Sequence, residues 1–199
     1  EKDIYGFNIT IPYKELIINN LSGVDVHSLK IGAVNCATKI NKTWSGKNTD
    51  WEGFLTPFLL NTKNIFLENV IVIGGGGAAK AIIYALQKQD IKEIKIFNRT
   101  YKNIKNLNTL SKIKTFELFN LKNYITKNSI IINTTPINPL NEIEGLDIDE
   151  SIIGYDIVYK PKTTEFLSYF KANRRIHGID MLIYQAAPCF EHWFGITPK

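Results

Sequence analysis

The chain has 199 residues, of which 24 are basic and 19 acidic, so its formal net charge is +5. Because 44% of the residues are apolar and 12% are aromatic, the composition excludes intrinsic disorder and predicts a packed core. No apolar run approaches the roughly 18 residues that span a bilayer, and the opening Glu1-Lys2-Asp3 lacks the features of a secretory signal. The sequence therefore predicts a soluble, cytoplasmic protein with no membrane partner.

The first third of the chain predicts two strands and two helices. Alternation at residues 6–11 predicts a strand, and Pro12 fits the first turn of a helix that continues through residues 14–18. Residues 31–40 predict a second strand, which is followed by a turn. Asp50 is in position to cap a helix over 51–61, because the large apolar residues there recur at helical spacing.

From residue 69 onward, predicted strands alternate with predicted helices, which is typical of an α/β fold. Strands are predicted at residues 69–73, 94–97, 129–132, 152–157 and 175–177. Helices are predicted at residues 78–87, 101–111, 164–173 and 181–194.

A glycine-rich turn follows the strand predicted at 69–73. Gly74, Gly76 and Ala79 fit the pattern G-x-G-x-x-G/A between a strand and a helix. Small residues there allow a tight turn and the close approach of a pyrophosphate to the helix N-terminus. The turn therefore predicts dinucleotide binding, with a purely structural glycine turn as the alternative. A P-loop is disfavoured, because Lys80 is flanked by Ala79 and Ala81.

The end of the next predicted strand indicates which dinucleotide binds. A carboxylate at this place would hold the ribose of NAD, but the strand runs into Asn98-Arg99-Thr100. A guanidinium can bond the 2′-phosphate of NADP, so NADP is the predicted cofactor. The alternative is an exposed arginine on a loop.

Metal and nucleic-acid sites are not predicted. Cys36 and Cys189 are far apart, and His27, His177 and His192 are scattered, whereas a metal site needs several ligands. The lysines are spread along the chain and do not form one basic stripe, so we predict no nucleic-acid partner.

Seven blocks of the chain occur in an order typical of one enzyme family. They are 7–14 (Phe-Asn-Ile-Thr-Ile-Pro-Tyr-Lys), 32–35 (Gly-Ala-Val-Asn), 48–50 (Asn-Thr-Asp), 74–79 (Gly-Gly-Gly-Gly-Ala-Ala), 98–100 (Asn-Arg-Thr), 133–136 (Asn-Thr-Thr-Pro) and 178–187 (Gly-Ile-Asp-Met-Leu-Ile-Tyr-Gln-Ala-Ala). In these blocks the chain resembles the shikimate dehydrogenases. That family begins with a βα segment carrying a pair of serines, which is absent here, so we expect the chain to be a fragment.

The resemblance implies an α/β protein with two domains and a cleft between them. It implies a Rossmann-type NADP-binding domain at 51–177, and a smaller substrate-binding domain formed by 1–50 and by a returning C-terminal helix at 178–199. The implied activity is the reversible NADPH-dependent reduction of 3-dehydroshikimate to shikimate in aromatic amino-acid biosynthesis. The sequence leaves the oligomeric state open, with a homodimer among the alternatives.

The resemblance also implies roles for individual residues. It identifies Lys14 and Asp50 as the catalytic pair. The implied substrate contacts are Thr10, Lys14, Asn35, Asp50, Tyr159 and Gln185. The implied cofactor contacts are Gly74, Gly76, Gly77, Ala78, Asn98, Arg99, Thr100, Thr134, Gly178 and Met181.

Elementary chemistry is compatible with these roles but does not assign them. Reduction of a ketone leaves an oxyanion that must be protonated, and a lysine beside a carboxylate can supply that proton. From the sequence alone, Lys14 could equally be a surface residue and Asp50 a helix cap. Asn35 and Thr10 could hydrogen-bond within a sheet, and Gln185 could belong to an ordinary helix interface.

Two other functions stay open at this point. One is a related enzyme that acts on quinate or uses NAD. The other is a nucleotide-binding or ligand-binding module without turnover, which the missing N-terminal segment suggests.

Overall fold

In this computed structural model, residues 4–67, 69–89, 91–109 and 112–198 are described. The strands are β1 (Gly6–Asn8), β2 (Gly23–Val24), β3 (Cys36–Ile40), β4 (Thr43–Lys47), β5 (Asn69–Ile73), β6 (Ile94–Asn98), β7 (Ile113–Glu117), β8 (Ser129–Asn133), β9 (Ile153–Asp156) and β10 (Arg175–Ile176). The α-helices are α1 (Val26–Ile31), α2 (Asp50–Thr62), α3 (Gly77–Gln87), α4 (Glu165–Ser168) and α5 (Gly178–Phe194). Short 3-10 helices cover Leu16–Asn20, Tyr101–Asn103, Lys105–Thr109, Leu118–Asn123, Pro139–Glu142 and Ala172–Arg174.

The strands between residues 6 and 47 form a small mixed sheet in the order β1-β3-β4-β2. β3 is antiparallel to both β1 and β4, whereas β2 is parallel to β4. The sheet buries Ile9, Val34 and Ala37 against partly buried residues of the Leu16–Asn20 helix and its surroundings. This front sheet therefore has its own small apolar core.

The remaining strands form a six-stranded parallel sheet in the order β10-β9-β8-β5-β6-β7. Numbered from β5, this is the order 6-5-4-1-2-3, which is that of dinucleotide-binding Rossmann folds. β5 and β8 lie at the centre and are almost wholly apolar, as expected of parallel strands covered on both faces. The predicted α/β class and Rossmann-type organisation are confirmed.

Two helices connect the sheets. α2 leads from the front sheet to β5, and α5 leads back from β10 toward the front sheet, where the Trp193 indole donates to the carbonyl of Ala37 at 2.9 Å. The two helices pack so closely that a Cβ on Gly53 would lie 2.5 Å from the Cβ of Gln185. On its other side, α2 places Phe54 against Tyr155 of β9, with ring centroids 5.0 Å apart.

Several predicted elements of the front sheet differ from those observed. Pro12 is not in a helix, because the carbonyl of Lys14 accepts a hydrogen bond from the Val34 amide, and the 3-10 helix begins only at Leu16. The predicted strand at 31–40 is divided: α1 ends at Ile31, Gly32 is left-handed with φ 72°, and β3 begins at Cys36.

In the larger sheet the strands were predicted better than the helices. The predicted helix at 101–111 is replaced by two short 3-10 helices, and its last two residues lie outside the described part of the chain. The predicted helix at 164–173 is confined to α4, since the chain turns back through Ala172–Arg174 to enter β10. β7 was missed, because its sequence Ile-Lys-Thr-Phe-Glu has neither a continuous apolar run nor strict alternation.

Within the described residues, no helix is long and apolar enough to cross a membrane. The core of the larger sheet contains a buried hydroxyl group without a partner in the described part of the chain. The Tyr155 hydroxyl is buried without a hydrogen-bond partner, and burial raises the pKa of this side chain well above its ordinary value.

We expect Tyr155→Phe to keep or raise the free energy of unfolding, by up to about 2 kcal/mol, because it removes a buried unsatisfied hydroxyl and retains the ring. Phe54→Ala, which removes the stacked partner, should lower it by about 3–5 kcal/mol. Urea unfolding followed by circular dichroism measures both. A loss above about 1 kcal/mol in Tyr155→Phe would show that the hydroxyl has a partner in solution.

Candidate active site

A cleft of about 560 Å³ lies between the front sheet and the carboxyl ends of the larger sheet's strands. Ligands of open α/β sheets bind at this end of the strands. The front sheet and the segment after it contribute polar side chains to one wall, whereas β8, β9 and the start of α5 contribute the other. The predicted site residues that line the cleft are Thr10, Lys14, Asn35, Asp50, Ala78, Thr134, Tyr159, Gly178, Met181 and Gln185.

Lys14 and Asp50 form an ion pair inside this cleft. Lys14 Nζ lies 2.7 Å from Asp50 Oδ2, and the side chains are only 15% and 6% exposed. Asp50 is the first residue of α2, where the positive end of the helix dipole favours a carboxylate. The expectation that Asp50 caps α2 is wrong. The side chain of Asn48 accepts the Asp50 amide at 3.0 Å, which leaves the Asp50 carboxylate for Lys14.

Asn35 connects the ion pair to the rest of the site. Its Nδ2 lies 2.8 Å from Asp50 Oδ1, 3.0 Å from Thr49 Oγ1 and 3.1 Å from Gln185 Oε1. Its Oδ1 accepts the backbone amide of Thr49 at 2.7 Å. Because the Asn35 side chain is buried and bonded on both ends of its amide, its orientation is fixed.

Gln185 and Met181 lie one turn apart on α5 and both line the cleft. Gln185 Nε2 donates to the carbonyl of Leu182 at 3.0 Å, so Oε1 is the atom that faces Asn35. The contact between Gln185 and Gly53 fixes the depth at which α5 packs on α2. Gln185 thus lies both at the interface of α2 and α5 and on the wall of the cleft.

The glycine turn forms the N-terminus of α3 beside Lys14. A Cβ on Gly77 would lie 3.2 Å from the Cβ of Lys14, so the turn contacts the front sheet. Gly74 has φ 121°, and a Cβ there would overlap the Thr134 hydroxyl. At Gly76, the N-cap of α3, a Cβ would meet no atom within 4 Å. The main chain at the helix N-terminus is therefore open to a pyrophosphate.

The predicted 2′-phosphate site lies away from the cleft, after β6. Arg99 is 72% exposed, and its Nη1 lies 3.4 Å from Glu142 Oε1. Asn98 Nδ2 donates to the carbonyl of Thr100 at 3.0 Å, which closes the turn that carries Arg99. An exposed guanidinium on an ordered turn could form charge-assisted hydrogen bonds with a 2′-phosphate.

Two loops at the ends of β8 and β9 line the wall of the cleft that the larger sheet forms. Thr134 Oγ1 donates to the carbonyl of Ile73 at 2.7 Å, and Gly178 packs so closely that a Cβ would lie 2.6 Å from the Ile157 carbonyl. Buried Asp156 accepts the Val158 amide at 3.0 Å and the Thr164 hydroxyl at 2.5 Å. These bonds hold the loop from which half-exposed Tyr159 reaches the cleft. Burial raises the pKa of Asp156.

A buried polar layer lies behind the cleft. Thr49 Oγ1 lies 3.1 Å from Cys189 Sγ, and Asn8 Nδ2 donates to the same sulfur at 3.4 Å. The hydrogen bond with Cys36 is the largest cause that lowers the pKa of Cys189 to about 7, and those with Thr49 and Asn8 add to it. The hydrogen bond with Cys189, together with burial, raises the pKa of Cys36.

Sequence reasoning assigned no role to Asn8, Thr49, Asp156 or Cys189. Asn8 and Thr49 do fall in two of the motif blocks, which was the available signal. A sequence signal was also available for Cys189, because it lies four residues after Gln185 and hence on the same face of α5. Among the described residues, no group of three or more His, Cys, Asp or Glu side chains could hold a metal ion.

The fold and the cleft define a two-sheet α/β oxidoreductase of the dinucleotide-binding class. Family models match on both sides of the cleft: the shikimate dehydrogenase substrate binding domain at residues 1–37, and shikimate / quinate 5-dehydrogenase at residues 60–142. The NADP(+) shikimate dehydrogenase of Dictyoglomus turgidum is 39% identical over 208 residues, covering 98% of this chain and 74% of that protein. The chain belongs to the shikimate dehydrogenase family.

Solved structures agree with this assignment. Shikimate dehydrogenase from Aquifex aeolicus superposes with a TM-score of 0.84 at 29% identity, covering 98% of this chain and 74% of the other. Shikimate 5-dehydrogenase from Thermus thermophilus, in complex with NADP(H) and shikimate, gives a TM-score of 0.82 at 28% identity, covering 100% and 76%.

The geometry of the glycine turn predicts that Gly74→Ala weakens nucleotide binding. The new methyl group meets the Thr134 hydroxyl, and alanine rarely adopts φ 121°, so the turn must move. We expect at least about a tenfold rise in the dissociation constant of NADPH, measured by fluorescence titration.

Gly145→Ala is the matched control, because Gly145 also has positive φ but a Cβ there meets nothing within 4 Å. This variant should bind NADPH as the unaltered chain does. Equal affinities in the two variants would contradict the role of the turn.

Proposed function

We propose that this chain catalyses the reversible NADP-dependent interconversion of shikimate and 3-dehydroshikimate, with Lys14 and Asp50 as the proton-transfer pair. The observation that carries the proposal is the 2.7 Å ion pair at the meeting point of the cleft and the glycine turn. Membership of the shikimate dehydrogenase family supports the substrate and the cofactor. Residues 1–50 and 178–199 form the substrate side in this proposal, and residues 51–177 form the cofactor side.

The proposed reaction needs one proton and one hydride at the two ends of a carbonyl bond. NADPH, when bound, supplies the hydride to carbon, and the oxygen must then take a proton. The Lys14 ammonium donates that proton to the new alcohol and takes it back in the oxidation of shikimate. Asp50 holds Lys14 in place by a charge-assisted hydrogen bond, which keeps Nζ directed into the cleft.

Polar side chains around this pair suit a polyhydroxylated acid. Asn35 and Gln185 offer amide groups beside Asp50, and both line the cleft. We assign them and Asp50 to the substrate hydroxyl groups, and Thr10 and Tyr159 to the rim of the same site. A substrate hydroxyl that enters beside Gln185 would donate to Oε1 in place of Asn35 Nδ2.

The cofactor residues divide by position. In this proposal, the open N-terminus of α3 at Gly76, Gly77 and Ala78 binds the pyrophosphate, as helix N-termini do. Asn98, Arg99 and Thr100 bind the adenosine end with its 2′-phosphate. We assign Thr134, Gly178 and Met181, which all line the cleft, to the nicotinamide side.

The central test is the removal of the Lys14 amine. Lys14→Ala should lower kcat for shikimate oxidation about 10²–10⁴-fold, because a positioned proton donor and acceptor is lost. Asp50→Asn should lower kcat as well, since it removes the charge that holds the ammonium. The rate is read from the absorbance of NADPH, with quinate as a second substrate to distinguish a quinate enzyme.

Lys39→Ala is the control, because Lys39 is an exposed lysine of β3 in the front sheet. It should leave kcat unchanged. Undiminished turnover in Lys14→Ala would remove this residue from the reaction. Binding of shikimate and NADP by the unaltered chain without turnover would instead favour a ligand-binding module.

Cofactor selectivity tests the Arg99 assignment. Arg99→Ala should raise KM for NADP by about tenfold or more and change KM for NAD little, because a charge-assisted bond to the 2′-phosphate is lost. Lys127→Ala, which changes another exposed cation, should affect neither value. Equal losses with NADP and NAD would contradict a 2′-phosphate contact.

Location and assembly stay predictions. A cytoplasmic site follows from the proposed biosynthetic role, and cell fractionation with an antibody tests it. The homodimer that the sequence left open is tested by light scattering during gel filtration.

A further inference from the structure

Thr49 and Cys189 occupy the space directly behind the proposed substrate-binding amide of Asn35. Thr49 is fully buried and Cys189 is 1% exposed, and neither side chain lines the cleft. Their contact, Oγ1 to Sγ at 3.1 Å, joins α5 to the residue that precedes Asp50. Both residues are thus placed to act on the site without reaching a ligand.

The Asn35 amide needs neighbours that orient it, because more acceptors lie near its Nδ2 than it has hydrogens. Nδ2 carries two hydrogens but faces three acceptors, on Thr49, Asp50 and Gln185, all within 3.1 Å. One hydrogen goes to the Asp50 carboxylate, which is the strongest acceptor. When Thr49 Oγ1 takes the other, Gln185 Oε1 is released to meet a substrate hydroxyl.

Cys189 is placed to orient the Thr49 hydroxyl. Thr49 Oγ1 has one hydrogen, and the sulfur of Cys189 at 3.1 Å competes for it with Asn35 Oδ1 at 3.3 Å. A bond to sulfur directs the oxygen lone pairs of Thr49 at Asn35 Nδ2. Gln185 and Cys189 are spaced i, i+4, so one face of α5 acts on Asn35 both directly and through Thr49.

We propose that Thr49 and Cys189 are positioning residues, which hold the Asn35 amide so that Asp50 is oriented toward Lys14 and Gln185 is free for substrate. The inference rests on the proposed function of the same cleft. It assigns to the buried layer a role in substrate affinity as well as in packing.

Thr49→Val tests the proposal, because valine keeps the shape of threonine and removes its hydroxyl. We expect KM for shikimate to rise and kcat/KM to fall about 10–100-fold, since a small misorientation of substrate contacts has effects of this size. The dissociation constant of NADPH should stay within about twofold, because the glycine turn is untouched. Thr49→Ser should restore KM to within about threefold of the unaltered chain.

Thr62→Val is the matched control, since it removes another buried hydroxyl from α2, one that bonds the Phe58 carbonyl. It should change thermal stability but not KM. Cys189→Ala should raise KM in the same direction as Thr49→Val, and Cys189→Ser should not. Cys189→Ala also supplies the answer if Thr49→Val does not fold.

Calorimetric titration of shikimate into the NADP complex separates this inference from the proposed function. A chain that binds shikimate without turnover contradicts the proposed function, but a weaker affinity in Thr49→Val would still support the positioning role. An unchanged affinity and KM in both Thr49→Val and Cys189→Ala overturns the positioning role. A loss of shikimate affinity that Thr49→Ser does not rescue also overturns it, as does a failure of the unaltered chain to bind shikimate.

Discussion

The ion pair between Lys14 and Asp50 is the interaction on which the site depends. Removing two charges from water costs several kcal/mol per ion, and the protein must offset this locally. Asp50 does so through the dipole of α2, the Asn35 amide and the lysine itself. Among the residues that the structure describes, Lys14 Nζ has only the Asp50 carboxylate as a hydrogen-bond and ion-pair partner. A lysine held by one carboxylate at the edge of a cleft is well placed to exchange a proton with a ligand.

The architecture explains how these two residues meet. Lys14 follows β1 and is fixed because its carbonyl accepts a hydrogen bond from the Val34 amide, whereas Asp50 begins the helix that leaves the front sheet. The glycine turn then packs on the stem of Lys14, so dinucleotide site and ion pair are adjacent. The Lys80 to Glu15 pair at 2.6 Å spans the same junction. Because that pair is partly exposed, it adds little stability, and the apolar packing of α2 on α5 must contribute more.

Sequence patterns predicted the larger sheet better than the front one. β5 and β8 each contain a continuous apolar run, which is typical of a buried strand. The glycines after β5 indicate the turn to α3. The front sheet depends on long-range bonds such as Val34 to Lys14, which no local pattern records. The site shows the same difference. The motif blocks contain Lys14, Asp50 and Gln185, but only the tertiary structure shows that Asn35 bonds to Asp50 and Gln185. The wrong prediction that Asp50 caps α2 has the same cause. The Asn48 side chain, two residues earlier, accepts the hydrogen bond from the Asp50 amide.

The helix α5 sets the geometry between the two halves of the cleft. Gly178, Met181, Gln185 and Cys189 follow each other along one face, from the larger sheet to the buried layer behind Asn35. With a rise of 1.5 Å per residue, Met181 and Gln185 are separated by roughly 6 Å along the axis. This is about the width of a small carbocyclic acid, so in the proposed function a ligand held by Gln185 at one edge would reach the nicotinamide side at the other. A rigid helix can fix such a distance, whereas a loop cannot, because its main chain has no continuous set of hydrogen bonds. Packing of α5 on Gly53 then becomes a condition of the chemistry, because any shift of the helix along α2 would move both edges at once.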